Sequence, residues 1–188
     1  RFAWRVVPWT KWDYDHFKSH GLTNVASPIP IGVEPKIWYP KDRAELPKVM
    51  QSIGFEPGAF NLLIIGANQR RKYWKEQLEG IALFRKAHPE VKVRLYFHTF
   101  VTVQGEHDIA NMIQETGLQD IWKYPDQYVM SQGGLEERQL AAITNCADLV
   151  LQANLEGWGM VTSQSQACGV PVLGLSEGAA SEIIFFGA

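Results

Sequence analysis

The feature that most constrains this 188-residue chain is a change of period repeated several times between residues 42 and 173. Short continuous apolar runs alternate with longer stretches whose apolar residues recur every three or four positions. A short run bounded by turn residues suits a strand buried on both faces, and the longer spacing suits a helix with one apolar side. Strands are predicted at 61–65, where Gly66 ends the run, and at 91–97, 124–130, 149–151 and 170–173. Helices are predicted at 73–87, with Leu78, Ile81, Ala82 and Leu83 as its apolar stripe, and at 108–115, 135–145 and 160–167. Gly117 and Gly169 close two of them. Strand–helix alternation of this kind implies an α/β, Rossmann-like parallel sheet with helices on both faces. On such sheets ligands sit at the carboxyl ends of the strands, where the strand order reverses.

The first forty residues have a different texture. Residues 2–9 read as a short strand running into Pro8, and Thr10 caps a predicted helix at 11–20 that Gly21 closes. Pro28, Pro30, Pro35 and Pro40 then fall within thirteen residues, which favours extended chain and marks 28–40 as a linker. A helix is predicted at 42–53, with Asp42 and Glu45 at capping-box spacing, Pro47 in its first turn and Gly54 as its stop. The chain starts at Arg1 and stops just after the apolar run Ile183-Ile184-Phe185-Phe186, so a piece of a longer protein is expected.

Charge and cysteine content narrow the function. Eighteen basic and twenty acidic residues give a net charge of −2, without the basic excess of a nucleic-acid-binding surface. The two cysteines, Cys146 and Cys168, are too few for a disulfide scaffold, which favours a reducing compartment. No apolar run reaches the roughly 18 residues of a membrane span. A cytoplasmic location, or a peripheral one on a membrane, is expected.

The most informative segment runs from Ala153 to Val172. A strand ends, and a turn bracketed by Gly157 and Gly159 opens a helix at Met160. Glycines there allow close approach of a ligand to the backbone, and the free N–H groups of a helix start favour a phosphate. Glu156 at the strand tip can accept hydrogen bonds from sugar hydroxyls. Gln164 lies eight residues on, about two turns along one helix face. A second cluster follows Gly66, where Arg70, Arg71, Lys72 and Lys75 crowd the start of a helix. Cations there oppose the helix dipole by about 0.3–1 kcal/mol each, a cost that a shared anion offsets.

The segment around Glu156 resembles the signature of the retaining GT-B glycosyltransferases of the large glycogen-synthase-like group, E-G-[FW]-G followed by E-A-x-A-C-G-x-P-V. The match covers Glu156, Gly157, Trp158, Gly159, Ala167, Cys168, Gly169, Pro171 and Val172. The second glutamate of the pattern is replaced by Gln164, which keeps hydrogen-bonding capacity and loses charge assistance. The basic cluster resembles the group's G-R-x(4)-K-G element, with Lys72 at the lysine, Ala67 at the arginine and Tyr73 at the final glycine; Arg70 or Arg71 is left to replace the arginine. Residues 29–34 resemble its interdomain I-P-x-G-V-[DE] segment, residues 140–148 the stretch before the glycine motif, and residues 178–182 its G-G-x-x-E element with the second glycine lost.

The resemblance spans residues 28 to 184 and implies the C-terminal half of a GT-B fold. Residues 1–27 would then be the remnant of an N-terminal acceptor-side domain, 28–40 the interdomain linker and 41–188 a nucleotide-sugar-binding domain cut short. It implies transfer of a sugar from a nucleotide-sugar donor to an unknown acceptor, with retention, without a cofactor and without a bound metal, and an isolated fragment that does not turn over. Glu156 would be the catalytic residue that orients the donor sugar. Lys72 and Arg71 would hold the diphosphate, with Gly157, Trp158, Gly159, Met160 and Gln164 completing the donor site and residues 131–135 near the base. The acceptor would be held by the missing N-terminal domain. Two alternatives share the architecture, a nucleotide-sugar epimerase and a degenerate binding module that has lost catalysis. The D-x-D pattern at Asp13 and Asp15 reads as the acidic first turn of a helix, and the five histidines show no zinc-like spacing.

Overall fold

The computed structural model describes residues 4–184. Its centre is a five-stranded parallel sheet in the order β3-β2-β1-β4-β5, formed by β1 (Phe60–Ile65), β2 (Val93–His98), β3 (Trp122–Lys123), β4 (Leu149–Gln152) and β5 (Val172–Gly174). Successive side chains of a strand point to opposite faces, and both faces here are apolar. Leu63, Ile65, Tyr96 and Val150 enter one core with Met50 and Ile53 and with Ala141 and Ile143. Leu62, Ile64, Leu95, Phe97 and Leu151 enter the other with Trp74, Leu78, Ile81, Ile109 and Ile113. Those partners belong to α2 (Pro47–Ile53) and α6 (Glu137–Asn145) on the first face, and to α3 (Trp74–Ala87) and α4 (Ile109–Glu115) on the second. The expected α/β architecture, with a Rossmann-like parallel sheet and helices on both faces, is therefore the observed one.

One polar side chain interrupts the apolar run of β1. Asn61 is buried; its amide donates to the carbonyls of Glu56 and Ala59 and to the Asp148 carboxylate, and its oxygen accepts from Glu56 N–H. Asp148 also accepts the Asn61 backbone N–H at 2.8 Å and pairs with Arg43. This satisfied network pins the start of β1 to the start of β4, as a buried polar group requires.

Several expectations are corrected. Residues 124–130 do not form a strand: β3 ends at Lys123, and Gln127–Ser131 is a short helix, α5. The Asp126 carboxylate accepts from the N–H groups of Tyr128 and Val129, and this cap overrides the aromatic and β-branched composition of the segment. The predicted helix at 42–53 divides into a 3₁₀ turn, Arg43–Glu45, and α2, because Pro47 occupies a first helical position; Asp42 caps Ala44 N–H rather than boxing Glu45. Leu83 is 68% exposed and leaves the buried stripe of α3 to Leu78 and Ile81. Of the strand expected at 2–9, Phe2 and Ala3 lie outside the described residues, and Val6 makes one isolated parallel bridge to Val25. Phe185 and Phe186 of the final apolar run also lie outside them.

The N-terminal helix α1 (Lys11–Ser19) follows the prediction, with Thr10 accepting from Asp13 N–H and Gly21 at φ +84° behind it. None of its residues is buried. Residues 28–40 are irregular, as expected of a proline-rich segment. After β4 come α7 (Met160–Ala167) and, past β5, α8 (Ala180–Ile183), which the sequence reading did not anticipate as a helix. No helix among the described residues is long and apolar enough to cross a membrane.

Candidate functional site

β1 and β4 are neighbours, but β2 lies on one side of them and β5 on the other, so the strand order reverses between them. The chain leaving β1 enters α3 on one face, and the chain leaving β4 enters α7 on the opposite face. Strand-order reversal places a ligand crevice at the carboxyl ends of such neighbours. Its floor is clasped: Gln152 Nε2 donates to Ile65 O at 2.9 Å, and Asn154 Nδ2 donates to Gln152 Oε1 at 2.8 Å, both buried. The loops after β1 and β4 therefore leave from fixed, adjacent points.

The loop after β1 delivers the cations. Residues Arg70–Lys72 form a 3₁₀ turn, and Tyr73 follows with φ +47°, a left-handed conformation that non-glycine residues seldom adopt. Gln77 on α3 donates to Lys72 O at 2.8 Å and holds the turn in place. The Lys72 stem passes Gly66, where an added Cβ would lie 3.8 Å from Lys72 Cε. Its ammonium reaches across the crevice to the Glu156 carboxylate. Arg71 comes from the same side, with Nη1 at 3.1 Å from Glu156 Oε1 and 3.2 Å from Leu155 O. Arg70 turns the other way, its N–H on the Glu106 carboxylate and its guanidinium on Gly105 O. The structure thus separates two arginines that spacing alone cannot.

Lys72 is only 8% exposed. Burial pushes its ammonium down to about 8, and the nearby Arg71 charge adds to the shift. The Glu156 carboxylate in contact with it favours the charged form of the lysine. Two cations thus converge on one carboxylate oxygen.

The loop after β4 delivers the rest. Gly159 is left-handed at φ +82°, which turns the chain into α7. The helical ladder begins with Thr162 N–H on Gly159 O at 2.9 Å, so the amides of Met160 and Val161 face out of the helix start. Gln164 is half-buried and sits in the second turn of α7; because the helix begins only at Met160, Glu156 and Gln164 do not share a helix face. Trp158 is not brought onto the ion pair. It lines a separate cavity of about 700 Å³ with Trp9, Pro28, Ser163 and Glu182, between the N-terminal segment and α7. Its indole N–H is buried without a hydrogen-bond partner.

Two contacts at this end were not read from the sequence. A Cβ at Gly157 would lie 3.5 Å from the Trp9 ring, so the N-terminal segment abuts the glycine turn. The Glu182 carboxylate accepts from Lys11 N–H at 2.9 Å and from Trp12 N–H, capping α1 from 170 residues away. Residues 178–182 were expected near the donor site, but nothing in their spacing points to a helix so distant in sequence. Residues 131–135 end α5 and lead to α6, whose start carries a capping box between Glu136 and Gln139. Among the described residues no group of three or more His, Cys, Asp or Glu is placed to hold a metal. Asp15 pairs with Lys11 on α1.

No family model matches the chain. It is 28% identical over 159 residues to a D-inositol 3-phosphate glycosyltransferase of Pseudarthrobacter chlorophenolicus, a match covering 84% of this chain and 36% of that protein. The chain spans little more than a third of the length of the curated relatives it matches. Among solved structures, a glycosyltransferase from Rickettsia africae superposes with a TM-score of 0.76 at 14% identity, covering 95% of this chain and 46% of that one. The pneumococcal O-GlcNAc transferase GtfA, solved with UDP and GlcNAc, superposes with a TM-score of 0.63 at 15% identity, covering 97% and 32%. The chain has the fold of one part of these GT-B glycosyltransferases.

Proposed function

We propose that the chain is the nucleotide-sugar half of a retaining GT-B glycosyltransferase, its C-terminal domain, and that the crevice between β1 and β4 holds the donor. The observation that carries this reading is the convergence of Lys72, Arg71 and Glu156 at the strand-order reversal, beside the start of α7. The likeness to glycosyltransferases in sequence and in fold supports it.

The chemistry follows from the groups present. Breaking the bond between the anomeric carbon and the diphosphate leaves negative charge on the departing phosphate. Lys72, Arg71 and the amides of Met160 and Val161 stabilise that charge from fixed positions, with no reorganisation during the reaction. Glu156 accepts hydrogen bonds from the hexose hydroxyls and sets the ring's angle to the leaving group. Gln164 contributes to the ribose site as an uncharged donor and acceptor. The donor chemistry would use side chains and backbone, without a metal or a cofactor. The acceptor would be held by the domain to which residues 1–27 belong, with 28–40 as the linker.

The test is transfer by the full-length protein, supplied with UDP-, GDP- and ADP-hexoses and a mixture of candidate acceptors, with the anomeric configuration of the product read by NMR. A product that keeps the donor's configuration is expected. An inverted product, or an isomerised sugar released without transfer, would contradict the reading.

A further inference from the structure

The crevice residues carry their own counter-charges. Lys72 and Arg71, the two cations a diphosphate requires, both bond the same oxygen of Glu156. The carboxylate is only 27% exposed, and the Lys72 side chain 10%. Building on the donor-site reading above, we propose that Glu156 acts as an internal stand-in for the diphosphate and thereby selects the intact nucleotide-sugar over the free nucleoside diphosphate.

The selection has a simple origin. A diphosphate entering the crevice must take Lys72 and Arg71 from Glu156. That leaves a half-buried carboxylate without its cations and beside a new anion, an arrangement that is strongly unfavourable in a partly desolvated site. A free nucleoside diphosphate bears this cost in full. A nucleotide-sugar does not, because the hexose hydroxyls donate hydrogen bonds to the released carboxylate and satisfy it. Glu156 therefore penalises the product and spares the donor. The hydrogen bond of Gln152 to Ile65 O holds the roots of the two loops together.

The geometry makes an opposite-signed prediction for one substitution. In Glu156→Gln the amide no longer competes as a charge for Lys72 and Arg71. Calorimetric titration of the full chain with UDP, GDP and ADP should show the affinity for whichever nucleotide binds rising about five- to a hundredfold, the usual span of a coupling between two bound groups. The affinity for the corresponding nucleotide-hexose should rise by less or fall, so the preference for donor over product shrinks. In the Lys72→Met background the same substitution should give a smaller gain, the part that comes from freeing Arg71 and from removing the carboxylate beside the diphosphate, and thermal melts keep unfolding apart from lost binding. Unchanged or weaker nucleoside-diphosphate binding by Glu156→Gln, with measurable binding by the unsubstituted protein, would overturn the inference and leave the donor site standing. No binding of any of the three nucleotides by either protein, both folded, would overturn the donor-site reading itself.

Discussion

Lys72 is a buried cation beside the start of α3. Its folded value, about 8, lies below the ordinary 10.5 because burial disfavours the ammonium. Between those two values the unfolded chain binds the proton and the folded chain does not, so the cost of burying this charge is present below about pH 8 and is relieved as pH rises towards 10.5. A bound diphosphate favours the ammonium, so binding takes up a proton above pH 8. Nucleotide affinity is therefore expected to be flat below about pH 8 and to fall by up to about tenfold per pH unit above it. Titrations from pH 6.5 to 9.5 check this, and Lys72→Met should flatten the profile. At this scale the sequence singles out Glu156 and Lys72, and the fold brings the two into contact. Glu156 and Lys72 stand out because a strand tip and a helix start impose chemistry that local spacing reveals. Arg71 was separable from Arg70 only in three dimensions, since the direction each takes depends on the 3₁₀ turn and on Glu106 opposite. Trp158 sits in the motif yet faces a different cavity, two residues past Glu156 and just before the left-handed Gly159 that opens α7.

Among the elements, α3 was readable from its period and α5 was not. The buried face of α3 is set by Leu78 and Ile81, which are almost fully enclosed, while Leu83 points to solvent. Leu78→Ala should cost about 2–5 kcal/mol in chemical denaturation, and Leu83→Ala should stay within about 0.5 kcal/mol of the unsubstituted protein. Similar losses at the two sites would contradict the packing. At 124–130 composition favoured a strand, but the backbone follows Asp126, whose carboxylate satisfies two amides of α5. Replacing Asp126 with Ala should lower stability by about 1 kcal/mol and raise amide exchange over 127–131. Pro47 similarly decided where α2 starts, a steric fact visible in the sequence but compatible with more than one arrangement of residues 42–46.

For the whole molecule, the α/β sheet followed from the alternation of periods, whereas the position of the N-terminal segment did not. Helix α1 has no buried residue and is tied to the body by long-range contacts: Glu182 on the amides of Lys11 and Trp12, and Trp9 against Gly157. Such an element opens at low free energy. Hydrogen exchange should show α1 to be the least protected of the longer helices, and Glu182→Gln should raise exchange at 11–14 while leaving β1 and β4 unchanged. Exchange rising equally in the sheet would mean that Glu182 supports the fold rather than the N-terminal segment. The central claim is that the β1–β4 crevice binds a nucleoside diphosphate through Lys72. Calorimetry of the unsubstituted protein and of Lys72→Met with UDP, GDP and ADP at pH 7 tests it most directly. Saturable binding of at least one nucleotide, weakened about ten- to a hundredfold in Lys72→Met while that protein still unfolds in one cooperative transition, is the predicted result. Equal affinity in both proteins, or no binding by either, would contradict it.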